Sequence, residues 1–302
     1  MVNFLVFTVI FILPWVANGY SDLVTARSYI LIEKDSMEII EGKYIERKLP
    51  PASTTKVVTS LIALEKLSGE EMIRPSKGVL SIPPSKMGIK PNKKYKAIDL
   101  IKGMLIKSAN DAAYTLACYI AGSEEKFAQM MNQFVHQLGA TNTNFRNASG
   151  LYDPYQYTTC YDLALIFRYA LDSDRFRQIL SIKYFDFKDG KKLIRFQNHN
   201  RFLFCFDPAI GGKTGFTKAS RHSYVGAFQK DGRTYILAIL GSEDLWGDAL
   251  WLLRNVFDTV PNEEEIQSAK AKDIILASYK EKKGSIKGHK KRGSISKLKR
   301  KT

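Results

Sequence analysis

A serine hydroxyl is a poor nucleophile until a neighbouring group takes its proton. Ser53 and Lys56 stand three residues apart at the head of an apolar stretch, LPPASTTKVVTSLIALEKL, residues 49–67. On a helix, two side chains at that spacing share a face. The lysine can serve as the base when burial or a nearby cation lowers its pKa, and a helix N-terminus favours negative charge developing near the serine. Ser-x-x-Lys also begins at Ser123, Ser294 and Ser296. The motif at Ser123, Ser-Glu-Glu-Lys, reads as a helix cap with a solvated first turn, and the last two fall in a basic C-terminal stretch. Spacing alone does not single out Ser53.

Two further groups do. Ser108-Ala109-Asn110 is the one Ser-x-Asn of the chain and falls where one helical pattern ends and the next begins. A serine there can relay a proton, and an asparagine amide can both donate to and accept from a peptide-like substrate. Lys213-Thr214-Gly215 is the one Lys-Thr-Gly and precedes a hairpin pattern, on or beside a strand. Its lysine and threonine suit a carboxylate, and Gly215 lets a substrate backbone approach closely.

The elements that must position these groups follow from periodicity and turn residues. SYILIEKDSMEIIEGK (28–43) reads as a hairpin around Lys34-Asp35. Pro50-Pro51 precedes a helix over 52–67, with Val57, Leu61, Leu64 and Leu67 at helical spacing and Gly69 as its stop. Segments 97–107, 110–122, 123–139 and 161–171 read as helices, so the chain between about 70 and 180 is mainly helical. Strands follow, with turns at Asp189-Gly190 and Asp231-Gly232, and 248–260 returns to helix. An antiparallel sheet joining the two ends, with helices on its faces and a mainly helical subdomain between, accounts for this order: an α+β fold. Residues 261–283 are expected to form one further helix with Ile266, Ile274, Ile275 and Leu276 as its apolar side, and the remainder to be disordered.

Composition narrows the class. The chain has 302 residues, 45% of them apolar, which suits a sizeable core. Its net charge is +16, and Lys280 to Thr302 holds eleven Lys or Arg against the single acid Glu281. At the other end, the apolar run Phe4–Val16 is too short to span a bilayer, and Ala17 and Gly19 suit cleavage before Tyr20. Residues 1–19 are therefore expected to be a signal peptide, residues 20–260 the enzyme domain and 261–302 a short helix with a basic tail. Three cysteines (Cys118, Cys160, Cys205) make no disulfide framework and are expected to be buried thiols. Neither they nor the four histidines have metal-ligand spacing, so no metal or cofactor is expected. An exported chain is not expected to meet nucleic acid; the basic tail suits an anionic membrane surface instead.

In chain order, Ser-x-x-Lys, Ser-x-Asn and Lys-Thr-Gly form the three-part signature of the penicillin-interacting serine enzymes. From about Ala26 to Val260 the chain resembles a low-molecular-mass penicillin-binding protein of the D-alanyl-D-alanine carboxypeptidase family, peptidase family S11. LPPASTTKVVTSLIALEKL resembles that family's PAS-x-TK helix, FRNASGLYDPYQYTTCYDLALI (145–166) its F-x-N-x-x-GL turn and following helix, and NHNRFLF (198–204) its Asn-x-Asn segment. The resemblance implies a β-lactamase/transpeptidase-like fold. It implies that Ser53 attacks the bond between two terminal D-alanines of a peptidoglycan stem peptide and that Lys56 accepts its proton. Ser108 would pass a proton to the leaving amine and Asn110 bind the substrate amide. Lys213 and Thr214 would hold the terminal carboxylate, while the N–H groups of Ser53 and Phe216 form the oxyanion hole beside Gly215. β-Lactam antibiotics would acylate the same serine.

The chain departs from that family at Ala109, where glycine is commoner, and in TKASRHSYVG (217–226), which lacks the usual Ala-Gly step. The second, β-rich domain of many relatives is expected to be absent after Val260, with the basic tail in place of an amphipathic anchor. Asn147-Ala148-Ser149 matches a glycosylation sequon but lies inside the family's turn pattern. A class A β-lactamase would need a Glu-x-x-Leu-Asn loop, and the chain has no Leu-Asn pair. A DD-endopeptidase acting on cross-links would use the same catalytic set, and a non-catalytic basic binding protein is the remaining alternative.

Overall fold

The structure is a computed structural model that describes residues 24–190, 192–271 and 273–278. The expected signal peptide and the basic tail from Lys280 lie outside these residues. The first elements of the described residues are the hairpin β1 (Ser28–Glu33) and β2 (Ile39–Lys43), and a 3-10 turn over Ala52–Thr55 leads into α1 (Lys56–Lys66). A small pair, β3 (Met72–Ile73) and β4 (Tyr95–Lys96), brackets a further 3-10 turn. The helical middle is α2 (Ala97–Ile106), α3 (Asn110–Ala121), α4 (Glu124–Gln137), α5 (Cys160–Ala170) and α6 (Asp174–Leu180). The hairpin β5 (Tyr184–Asp189) and β6 (Lys192–Gln197) precedes the short α7 (Phe202–Cys205). Three long strands follow, β7 (Ala209–Thr217), β8 (Arg221–Lys230) and β9 (Arg233–Ser242), then α8 (Leu245–Leu253), α9 (Glu263–Ser268) and β10 (Ile274–Ser278).

The main sheet runs β2-β1-β9-β8-β7, every pair antiparallel. The first strands of the chain thus pair with the last long ones, as the order of elements requires. Both faces of β1 are covered, and all six of its residues are buried. Ile30 and Ile32 pack into the larger core, under α1, α2, α3 and α5. Tyr29 and Leu31, pointing the other way by the two-residue period, join a second core with Phe202, Phe228, Leu250 and Leu253. The outcome is a sheet between two layers of helix, with α2–α4 forming the helical subdomain beside it.

Two expectations change. The hairpin β5–β6 does not extend the main sheet; it builds a second, three-stranded sheet, β10-β6-β5. The expected helix over 261–283 is instead the six residues of α9, begun by an Asn262–Glu265 capping box. The later isoleucines pair as strand: Ile274 lies opposite Arg195 and Ile275 opposite Ile194. A local apolar pattern there served a distant partner, since β-branched residues favour a strand once an edge is available. The three thiols are free; Cys160 is buried, while Cys118 and Cys205 are only partly so. Among the described residues, no helix is long and apolar enough to cross a membrane.

Candidate active site

Ser53 lies in the 3-10 turn that opens α1, and Lys56 is the first residue of α1 itself. Ala52, just before the serine, has φ +50, in the left-handed region that a non-glycine residue seldom occupies. Two glycines allow that turn its place. A Cβ on Gly150 would lie 1.7 Å from the Ala52 carbonyl oxygen, and one on Gly215 would lie 2.7 Å from Ser53 N. The loop after Asn147 and the strand β7 therefore close on the backbone of the turn from two sides.

Lys56 is fully buried. Its Nζ is 2.7 Å from Ser53 Oγ and 2.7 Å from Asn110 Oδ1, and it also donates to the Ser149 carbonyl. Burial, and then the positive charge of Lys213, hold its pKa well below the usual lysine range. Ser108 occupies the turn between α2 and α3 with φ +61, a second strained residue of the site. Lys213 Nζ donates to Ser108 Oγ at 3.0 Å and to the Thr214 carbonyl at 2.7 Å. Burial brings the Lys213 pKa down to about 7.

All eight residues singled out from sequence meet here. Ser53, Ser108, Asn110, Thr214, Gly215 and Phe216 line one cavity of about 570 Å³, with Lys56 and Lys213 buried beneath its serines. Asn110 is held from both ends of its amide. Its Nδ2 donates to the carbonyls of Pro83 and Pro84, at 3.2 and 2.9 Å, while its Oδ1 accepts from Lys56. The amide thus ties Lys56 to the segment that carries Pro83 and Pro84.

Several residues of the site escaped the sequence reading. Asp111, buried, accepts from the N–H groups of Met87, Gly88 and Ile89 at 3.1, 2.9 and 3.3 Å and so pins the segment that carries Pro84 and Ser85 to the cavity. Asn147 Oδ1 accepts from the N–H groups of Ser149, Gly150 and Leu151. The asparagine of the apparent sequon thus shapes the turn that presents the Ser149 carbonyl. His199, Arg201, His222 and Trp246 line the far wall. His199 lies inside the Asn-x-Asn segment, the one signal that pointed to it. Burial and the charges of Lys213, Lys107 and Lys56 push its pKa down to about 3, so the imidazole is neutral. Lys270 and Ala271, after α9, line the cavity too. Nothing local marked them, because their place depends on β10 pairing with β6. Among the described residues, no three His, Cys, Asp or Glu side chains converge as a metal-holding group.

A serine, a buried lysine, a second serine and a lysine-threonine pair converge from a helix start, a helix junction and a strand, and these are the groups that acyl transfer requires. The family model of the D-alanyl-D-alanine carboxypeptidases, peptidase family S11, matches residues 17–244. The chain belongs to that family of serine peptidases. S11 relatives include D-alanyl-D-alanine carboxypeptidase DacB2 of Mycobacterium tuberculosis, 34% identical over 75% of this chain and 80% of that protein. DacC of Escherichia coli is 33% identical over 73% of this chain, but the match spans only 57% of the E. coli protein. A crystal structure of a D-alanyl-D-alanine carboxypeptidase from M. tuberculosis superposes with a TM-score of 0.73 at 30% identity, covering 85% of this chain and 96% of that one. The S11 fold is thus the β-lactamase/transpeptidase-like α+β architecture described above.

Proposed function

We propose that the protein is a serine-type D-Ala-D-Ala carboxypeptidase that removes the terminal D-alanine from peptidoglycan stem pentapeptides. The observation that carries this reading is the set of contacts around Lys56. A neutral amine has two N–H groups and one lone pair. Asn110 Oδ1 and the Ser149 carbonyl take the two N–H groups, which leaves the lone pair to the Ser53 hydroxyl at 2.7 Å. Burial and the charge of Lys213 lower the pKa of that amine and so favour its neutral form, a base aimed at the serine proton.

The steps follow. The stem peptide lies along β7, an edge strand of the sheet, as an added strand. Lys213, in its protonated form, and Thr214 hold the terminal carboxylate. Ser53 Oγ attacks the carbonyl of the penultimate D-alanine as its proton passes to Lys56 Nζ. The N–H groups of Ser53 and Phe216 stabilise the oxyanion, an effect worth about 3 kcal/mol per donor. The C–N bond breaks, the proton returns through Ser108 to the leaving amine, and D-alanine departs. Water then adds to the Ser53 ester, giving the shortened peptide and the free hydroxyl. A β-lactam enters by the same first step and acylates Ser53. The proposal includes export, so that the enzyme acts in the cell envelope, and attraction of the basic tail to an anionic membrane surface.

The test is release of free D-alanine from a pentapeptide ending D-Ala-D-Ala, by the chain from Tyr20 onward and by its Ser53→Ala variant. Release by the parent alone supports the proposal. A folded parent that is acylated by penicillin but releases nothing would shift the substrate to cross-linked peptides, and absence of both would reject the reading.

A further inference from the structure

The second Ser-x-x-Lys motif is only half the solvated cap that its sequence suggests. Ser123 Oγ accepts from the Lys126 N–H at 3.2 Å, as a cap should, and Glu125 is exposed. Glu124 instead turns inward, and its Oε1 accepts from the Ala148 N–H at 3.1 Å. The Ala148 carbonyl accepts from Thr59 Oγ1 at 2.7 Å, one helical turn beyond Lys56 on α1. The next carbonyl, that of Ser149, faces both Lys56 Nζ and Ser53 Oγ. A short piece of backbone is thus clamped at its N–H by Glu124 and at its first carbonyl by Thr59, and its second carbonyl meets the reactive pair.

We propose that Glu124 is a positioning residue for Lys56. Through Ala148 it fixes the Ser149 carbonyl that orients the amine, and its carboxylate favours the protonated form of that amine. The inference rests on the reading of Lys56 as the proton acceptor. Charged groups bear on Lys56 from three elements: Lys213 on β7 favours the neutral amine, whereas Asp111 on α3 and Glu124 on α4 favour the ammonium. Glu124 itself is desolvated, with Glu125 beside it and Lys56 opposing. Tyr114 and Cys118 face it from α3.

Glu124→Gln keeps an oxygen for the Ala148 N–H and removes the charge. Lys56 then loses a partner that favours its ammonium, so its pKa falls further and the acid limb of the acylation profile moves to lower pH. Glu124→Ala removes the contact as well. The experiment measures acylation by a fluorescent penicillin across the acid-to-neutral range for the parent, both Glu124 variants and Glu125→Gln, with thermal melts of each. The expected result is a limb moved to lower pH in Glu124→Gln, an acylation rate about tenfold lower in Glu124→Ala, and a parent-like profile in Glu125→Gln. An unmoved limb in Glu124→Gln, or an equal shift in Glu125→Gln, overturns the inference while the site reading stands. A parent that is not acylated at all removes that reading and the inference with it. Should the alanine variant not fold, the limb position in Glu124→Gln decides alone.

Discussion

At the scale of single residues, the site keeps two lysines where lysines are costly. Lys56 is wholly buried and Lys213 is only 1% exposed. The Lys213 pKa of about 7 stands against an ordinary value of 10.5, so between those limits the unfolded chain binds more protons than the folded one. Stability must then rise with pH across that window, and below it the full penalty, on the order of a few kcal/mol, is in place. Lys213→Met is therefore expected to melt at a higher temperature than the parent at neutral pH, with the gap closing as pH approaches 10, while D-alanine release is largely lost. Melting curves at several pH values check this; a gap that does not change with pH would show that the lysine's charge is not the cause. The same titration bears on binding. A protonated Lys213 is what attracts a carboxylate, so KM for the pentapeptide should rise as pH increases through about 7.

Elements supply the approach that residues alone cannot. The 3-10 turn at Ala52–Thr55 fits between the Asn147 loop and β7 because Gly150 and Gly215 have no side chains. Gly215→Ala would force a Cβ to within 2.7 Å of Ser53 N, a contact that only a backbone shift relieves. We expect acylation at least tenfold slower with a much smaller change in melting temperature, as measured with fluorescent penicillin. Asp111→Ala should behave in the opposite sense. It leaves the N–H groups of Met87, Gly88 and Ile89 without their acceptor, at a cost of about 3 kcal/mol, and a denaturation curve reads that directly. The difference between these residues also marks what sequence could reveal. Gly215 sits in a rare tripeptide whose chemistry explains it, and the Asp231-Gly232 turn announces its own hairpin. Asp111 and Glu124 are ordinary acids in the first turns of helices, where solvated carboxylates are common. Their work depends on segments 22 and more residues away, which no local pattern encodes.

On the scale of the whole molecule, the sheet that joins the two ends of the chain fixes the site, because β7 at its edge faces the start of α1 and the junction of α2 with α3. The order of strands and helices was enough to foresee that sheet. The partner of β5–β6 was not foreseeable, since β10 pairs with β6 across some 80 residues of sequence, and an apolar run of that length fits helix or strand equally. Charge follows a different logic, because it needs no fold to act. Of the net +16, most lies in Lys280–Thr302, beyond the last described strand, so the proposed membrane attraction is separable from catalysis. Near an anionic bilayer each Lys or Arg contributes about 1 kcal/mol, an attraction that salt screens. A chain shortened to end at Ser278 should therefore release D-alanine from a soluble pentapeptide at the parent's rate, yet fail to sediment with phosphatidylglycerol vesicles that capture the full chain at low salt. Equal capture of the two, or capture of the full chain that persists at high salt, would show that the tail is not an electrostatic tether.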